Sequence, residues 1–242
     1  MSTDEVAAES TESGTRRDPA VARAIDSARS RAEHRVQLFL DAARELMQAK
    51  SGEFTVQELV ERSGQSLRTF YQYFAGKHEL LLVLFEESVR SAARQLEDVV
   101  GDRSDPLDRL HHFLVEYYRM CRLTPERQAS TGPAPALVEF AQQLLTSHPK
   151  EAAHAFAPVV VMLEELLAEA AVAGEIRPAL DHRRIAGVVL QATMFNSFAA
   201  TISGSSSRLD GDTEPEMLWD LLLRGIALDD LTDDAISTRK ET

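Results

Sequence analysis

The sequence predicts an all-α fold, with a small N-terminal three-helix unit followed by a larger C-terminal helical bundle. Three observations lead there. Apolar residues recur three or four positions apart through most of the chain, which is the spacing of one helix face. Helix-start signals stand in front of those stretches: Asp18-Pro19, Asp105-Pro106 and a T-x-x-E pattern from Thr55 to Glu58. No stretch alternates apolar and polar residues as a half-buried strand does.

Residues 1–15 are polar and acidic and have the composition of a disordered tail. Asp18 then reads as an N-cap and Pro19 as the first helical residue. From Val21, apolar positions continue through Ile25, Ala28, Ala32, Val36, Phe39, Ala43 and Leu46. This spacing allows one helix of roughly 30 residues or a break near Ser27–Ser30, and the weak Ser-Ala-Arg-Ser run favours the break. Gly52 ends the helix. Thr55 and Glu58 form a capping box for a second helix that closes at Gly64, where a left-handed residue is needed. Ser66 caps a third, short helix in which Phe70 and Phe74 share a face, and a long helix follows Gly76, from about Lys77 to Val99.

Asp105-Pro106 opens the next helix, whose stripe is Leu107, Leu110, Leu114, Tyr117 and Cys121. Residues 124–134 read as a loop. A helix from about Pro135 to Thr146 is followed by a long one capped by Ser147 and ending at Gly174, which Pro158 is expected to kink or split. Asp181 caps a helix to about Ser203 that is apolar on nearly every side. Residues 203–214 are rich in Gly, Ser and Asp. A last helix from about Pro215 to Leu228 precedes a polar tail from Asp229.

Composition narrows the setting. The 242 residues suffice for one large or two modest domains, each with a core. A single cysteine, Cys121, permits no intramolecular disulfide and fits a reducing compartment. Residues 1–15 carry no apolar h-region, and no run reaches the length of a membrane span, so the expectation is a cytoplasmic protein without a membrane partner. The net charge of −13 argues at first sight against nucleic acid. Its distribution reverses that for one region: residues 16–78 hold 11 basic against 8 acidic side chains, while the remainder is strongly acidic. Screening confines phosphate attraction to roughly 10 Å, so the local sign decides.

Two short helices joined through Gly64 match a helix-turn-helix, whose second helix enters the major groove. Phe70 and Phe74 anchor that second helix to Leu40, Leu59 and Val60. Arg68, Thr69, Tyr71 and Gln72 are left facing outward, and these side chains suit base edges and phosphates. Both short helices also present free N–H groups at their N-termini, behind Thr55 and Ser66, that suit phosphate oxygens. A plain helical hairpin with a solvated face is the alternative, and tyrosines at 71 and 73 on a surface helix count against it. The arginines Arg16, Arg17, Arg23, Arg29, Arg31 and Arg35 fit either a basic arm along flanking DNA or a solvated face balanced by Asp18, Asp26 and Glu33.

The stretch FTVQELVERSGQSLRTFYQYFAGKHELL, Phe54 to Leu81, resembles the DNA-binding domain of the TetR family of bacterial one-component regulators. Its most specific parts are Thr55, the core Ser66-x-x-Thr69-Phe70-Tyr71-x-Tyr73-Phe74, and Lys77 with Glu79-Leu80-Leu81. The chain departs from the family pattern at Gln65 and at Leu67-Arg68. The resemblance implies that Thr55, Tyr71, Tyr73 and Lys77 hold phosphates, with Gln65, Arg68, Thr69 and Gln72 near bases. It also implies four parts: a tail at 1–28, a helix-turn-helix DNA-binding domain at 29–76, a helical effector-binding and dimerisation domain at 77–228, and a polar tail at 229–242.

For the C-terminal part, the expected dimer interface comprises Ile185, Val188, Ala192 and Phe195 with Trp219, Leu222, Leu223 and Ile226. Simple intrachain core is the other reading of these residues. Pocket candidates are the polar or soft residues on apolar helices: His111, Tyr118, His154, Met162, Gln191, Met194 and Asn196. No metal site and no cofactor are expected, since the histidines form no i, i+4 pair and no Cys/His cluster. No Ser/His/Asp, paired-acid or phosphate-loop arrangement points to an enzyme. The reading is a homodimeric repressor released from a palindromic operator by a small molecule. A DNA-binding dimer without effector or acting as activator is the runner-up, ahead of a helical carrier or enzyme.

Overall fold

A computed structural model describes residues 5–49, 54–122, 135–202 and 213–226. Nine helices and no strand are found among them: α1 (Glu5–Ala49), α2 (Val56–Ser63), α3 (Leu67–Tyr73), α4 (Lys77–Gly101), α5 (Pro106–Cys121), α6 (Pro135–Ser147), α7 (Pro149–Val172), α8 (His182–Ile202) and α9 (Thr213–Ile226). The helix end at Gly52, the loop at 124–134, most of the Gly/Ser-rich stretch at 203–214 and the tail from Asp229 lie outside the described residues. The fold separates into two compact units, Met1–Leu80 and Leu81–Thr242.

In the first unit, α1 packs on α2 and α2 on α3. Phe39, Leu40, Leu59, Phe70 and Phe74 fill the centre, each at most 4% exposed. Phe39 meets Phe70 edge-on at 5.5 Å and Phe74 at 6.1 Å, a geometry that adds to the area these rings bury. The start of α1 departs from the sequence expectation. Glu5–Ala49 is one continuous helix, so Pro19 lies inside it rather than at its first position, and no break occurs at Ser27–Ser30. Contacts one turn apart span the weak run: Arg29 pairs with Glu33 at 2.8 Å, and Arg31 donates to the Ser27 hydroxyl.

In the second unit, α5 is central, packed by α7, α8 and α9, while α7 also holds α6 and α8. Its start is capped as expected, with the Asp108 N–H donating to Asp105 at 2.7 Å and Pro106 at the first helical position. Ser147 is not a cap. It ends α6, and His148 occupies the N-cap of α7, because Pro149 fixes the first helical position one residue later than expected. Nor does Pro158 split α7, which stays helical to Val172. Gly174, at φ +82, turns the chain there, and Glu175 N–H returns to the Ala170 carbonyl at 3.0 Å. Asp181 caps α8 by accepting from Arg184 N–H at 3.0 Å.

Candidate nucleic-acid interface

The turn between α2 and α3 is built by local hydrogen bonds. Thr55 Oγ1 accepts from Glu58 N–H at 3.2 Å, and the Glu58 carboxylate accepts from Thr55 N–H at 2.8 Å, which completes the capping box. Phe54 and Leu59 flank this cap at the two staple positions, and both are buried. Gly64 ends α2 at φ +65, a left-handed conformation that an L side chain adopts only with strain. Ser66 Oγ accepts from Thr69 N–H at 3.0 Å and shares a hydrogen bond with Thr69 Oγ1 at 2.8 Å. The same oxygen therefore caps α3 and orients the Thr69 side chain.

Burial of Phe70 and Phe74 sets the face that α3 presents. Arg68, Tyr71 and Gln72 are exposed, with Tyr71 at 57% exposure against an edge-on Phe70 ring. Arg68 makes no hydrogen bond or ion pair among the described residues, so its guanidinium is free to fork onto a base edge or a phosphate. Gln65, Thr69, Tyr73 and Lys77 are half-buried at the edge of this face, and Ser66 is exposed. Lys77 carries a role the sequence did not suggest. Its ammonium donates to the Phe54 carbonyl at 2.7 Å and stands 4.3 Å from the Phe54 ring centre, tying the start of α4 to the residue before the cap. Along α1, Arg23 donates to the Pro19 carbonyl and Arg29 pairs with Glu33, while Arg35 is exposed.

The family profile of bacterial regulatory proteins of the tetR family matches residues 39–84. That span runs from the buried end of α1 through the capped turn into α4. The capped turn and its two short helices are therefore similar to the DNA-binding region of the tetR family. No curated protein matches it by sequence. Solved structures share its fold at low identity. The fatty acid degradation regulator FadR from Bacillus halodurans is 18% identical, at TM-score 0.58, over 78% of this chain and 94% of that one. FadR from Bacillus subtilis, solved with stearoyl-CoA, is 17% identical at TM-score 0.59 over 78% and 98%. SmeT, the repressor of the Stenotrophomonas maltophilia multidrug efflux pump SmeDEF, is 18% identical at TM-score 0.57 over 81% and 91%.

The chain thus has the fold of TetR-family transcription regulators, and two cavities lie among the described residues of its C-terminal unit. One, of about 200 Å³, lies among α4, α5, α6, α7 and α8, with Ser88, Gln95, Tyr117, Cys121 and Met194 in its wall. The other, of about 280 Å³, lies mainly between α7 and α8, where Ala152, Ala153, Ala157 and Gly187 leave room. Tyr117, Phe156 and Met194 border both. Burial holds the Tyr117 hydroxyl well above its usual pKa and pushes the Cys121 thiol up to about 12, so both stay protonated at neutral pH.

Of the pocket residues expected from sequence, Gln191 and Met194 line these cavities, and His111, Tyr118, His154, Met162 and Asn196 do not. His111 and Tyr118 instead hold α9: His111 Nε2 lies 2.8 Å from Glu216, and Tyr118 donates to Glu214 at 2.5 Å. Burial, then the bond to Glu214, raises the Tyr118 hydroxyl to about 12. His154 is exposed, and Asn196 turns back to the Ala192 carbonyl. Among the lining residues that were not sequence candidates are Tyr117, Phe156 and Arg183. The i, i+4, i+8, i+11 spacing of Arg183, Gly187, Gln191 and Met194 was the available signal.

The expected interface residues divide. Val188 and Phe195 are 61% and 67% exposed on α8, and Ile185, Ala192, Leu222 and Leu223 are half-buried. Trp219 and Ile226 are buried within their own chain, where Trp219 packs on His111 at 4.9 Å. Met217 and Leu221 take the outward face of α9 at 64% and 71% exposure. The folded chain also groups donor atoms of Asp108, His111 and His112 within 4.8 Å, a trio that sequence inspection of the histidines did not find. These groups have other partners, Asp108 with Arg103 at 2.7 Å and His112 with the Asp108 carbonyl at 2.8 Å. No helix among the described residues is long and apolar enough to cross a membrane.

Proposed function

We propose that the protein is a transcriptional repressor that binds a palindromic operator as a homodimer and leaves it when a small molecule enters the C-terminal unit. The outward face of α3 carries this reading: Arg68, Tyr71 and Gln72 project from a helix whose opposite side is locked by Phe70 and Phe74. Rigid anchoring opposite a free polar face is what a major-groove helix requires. In this assignment Arg68 and Gln72 read bases with Gln65 and Thr69 beside them, and Thr55, Ser66, Tyr71, Tyr73 and Lys77 contact phosphates. Residues 29–76 form the DNA-binding domain and 77–228 the effector-binding and dimerisation domain, acting in the cytoplasm.

Dimerisation is supported by four large apolar side chains left in solvent on α8 and α9: Val188, Phe195, Met217 and Leu221. A two-fold dimer presents two recognition helices to two half-sites about one helical turn apart. Release is supported by the cavities and by α4. That helix lines one cavity through Phe85, Ser88 and Gln95 and begins at Lys77, which is bonded to Phe54 beside the α2 cap. A ligand that displaces α4 therefore changes the spacing of the recognition helices.

The test is selection of bound fragments from random duplex DNA, followed by footprinting of the enriched site with and without a small-molecule library. A palindrome protected by the dimer and freed by at least one compound supports the proposal. Enrichment of no sequence overturns DNA recognition. A palindrome that no compound releases, with both cavities unfilled in the complex, overturns the effector half.

A further inference from the structure

We propose that the effector is an amphiphilic anion, a long-chain carboxylate whose head group meets Arg183 and whose tail runs through both cavities. This rests on the reading of the cavities as an effector site and names the ligand class. Arg183 is the one charged residue lining either cavity among the described residues. It is exposed, so it stands where the cavity between α7 and α8 opens, and it makes no ion pair or hydrogen bond among the described residues. Its neighbour differs: Arg184 stands 3.9 Å from Asp181.

Behind Arg183 the walls carry no second charge, their polar side chains being Gln191 and, in the other cavity, Ser88, Ser91 and Gln95. Ala152, Ala157 and Val160 face Gly187 and Leu190, and the hydroxyl of Tyr117 and thiol of Cys121 stay protonated farther in. An ion drawn into such a space loses its hydration with no opposite charge to meet, whereas methylenes gain by entering it. The site therefore selects for one charge at the mouth and none beyond.

The helix gives the length. Arg183 and Met194 lie on α8 about 16 Å apart at ~1.5 Å per residue. An extended alkyl chain advances roughly 1.3 Å per carbon for C–C bonds of ~1.5 Å, so about a dozen carbons reach Met194. Met194 borders both cavities together with Tyr117 and Phe156. These three side chains are the partition through which a longer tail passes. Neither cavity alone reaches the ~300 Å³ common for small-molecule sites, and the two joined do.

The experiment is calorimetric titration of the full-length protein with dodecanoate and with dodecan-1-ol, each below its aggregation limit. Decanoate and octanoate give the length dependence. The proposal expects dodecanoate to bind at least ten-fold more tightly than the alcohol, with each methylene adding about three- to four-fold. Arg183→Gln abolishes the preference for the anion, whereas Arg183→Lys and the control Arg184→Gln retain it. Equal binding of acid and alcohol, or a preference that survives Arg183→Gln, overturns the head-group assignment and leaves the effector reading standing. Binding of neither probe overturns the proposal. The effector reading then stands or falls separately, by the release of the operator in the compound library.

Discussion

Lys77 offers the sharpest test of how the N-terminal unit is held together, because the structure gives it a partner that the sequence did not. Replacing it by methionine keeps the length and apolar stem and removes the ammonium. Two interactions disappear: a charged hydrogen bond to the Phe54 carbonyl at 2.7 Å and a cation–π contact at 4.3 Å. A hydrogen bond to a charged group contributes ~1.5–3 kcal/mol and a partly exposed cation–π contact ~0.5–1. Because Lys77 is only half-buried, the lower ends apply, giving a loss of about 2 kcal/mol. Hydrogen exchange on the full-length chain reads this locally: amides of α2 and α3 exchange about thirty-fold faster if those helices open as a unit. The DNA side is separate. If the remaining N–H groups of Lys77 also reach phosphate, the slope of log affinity against log salt falls by ~0.9 for each phosphate left without its ammonium, about two for a dimer. Unchanged exchange in Lys77→Met would refute the structural role, whatever happens to DNA binding.

Three further outcomes are expected. Asp108 is held below its ordinary pKa by the hydrogen bond from Arg103, so its contribution is complete above an unfolded value near 3.8 and is lost as pH falls through the lower folded value. Asp108→Asn should therefore flatten the acid limb of stability against pH below about 4, and thermal melts from pH 2 to 7 check it. Cys121, with its thiol raised to about 12, should react with a maleimide at pH 8 on the order of a thousand-fold more slowly in the native protein than in urea. Phe195→Glu and Leu221→Glu each place a charge on an exposed apolar patch, so analytical ultracentrifugation should show a dimer shifted to monomer with the helical circular dichroism retained.

How much of this was legible in the sequence depended on the range of the interactions involved. Thr55, Glu58, Gly64 and Ser66 were readable because a cap satisfies backbone groups within four residues, and the structure returns each in that role. The break at Ser27–Ser30 was misread for a similar reason: the side chains that hold the helix lie one turn away from the weak run. Trp219 was read as an interface residue together with Leu222, Leu223 and Ile226 on the last helix. Only the packing of α5, which brings His111 to 4.9 Å from the indole, shows which side is internal. The cavities were less accessible still, since an empty volume is a property of helix spacing and not of any residue. Gln191 and Met194 were found by polarity or softness on an apolar helix. Arg183 was missed because a charged residue near a helix start reads as solvated surface.

The central claim is that α3 reads sequence through the free face opposite Phe70. Affinity of wild type and Arg68→Ala for the selected operator and for random duplex, each across a salt series, tests it most directly. The account predicts that Arg68→Ala loses ~1–3 kcal/mol per half-site on the operator and little on random DNA at matched salt. An equal loss on both sequences would make Arg68 a phosphate contact only. No loss on either would contradict the assignment of α3 as the reading helix.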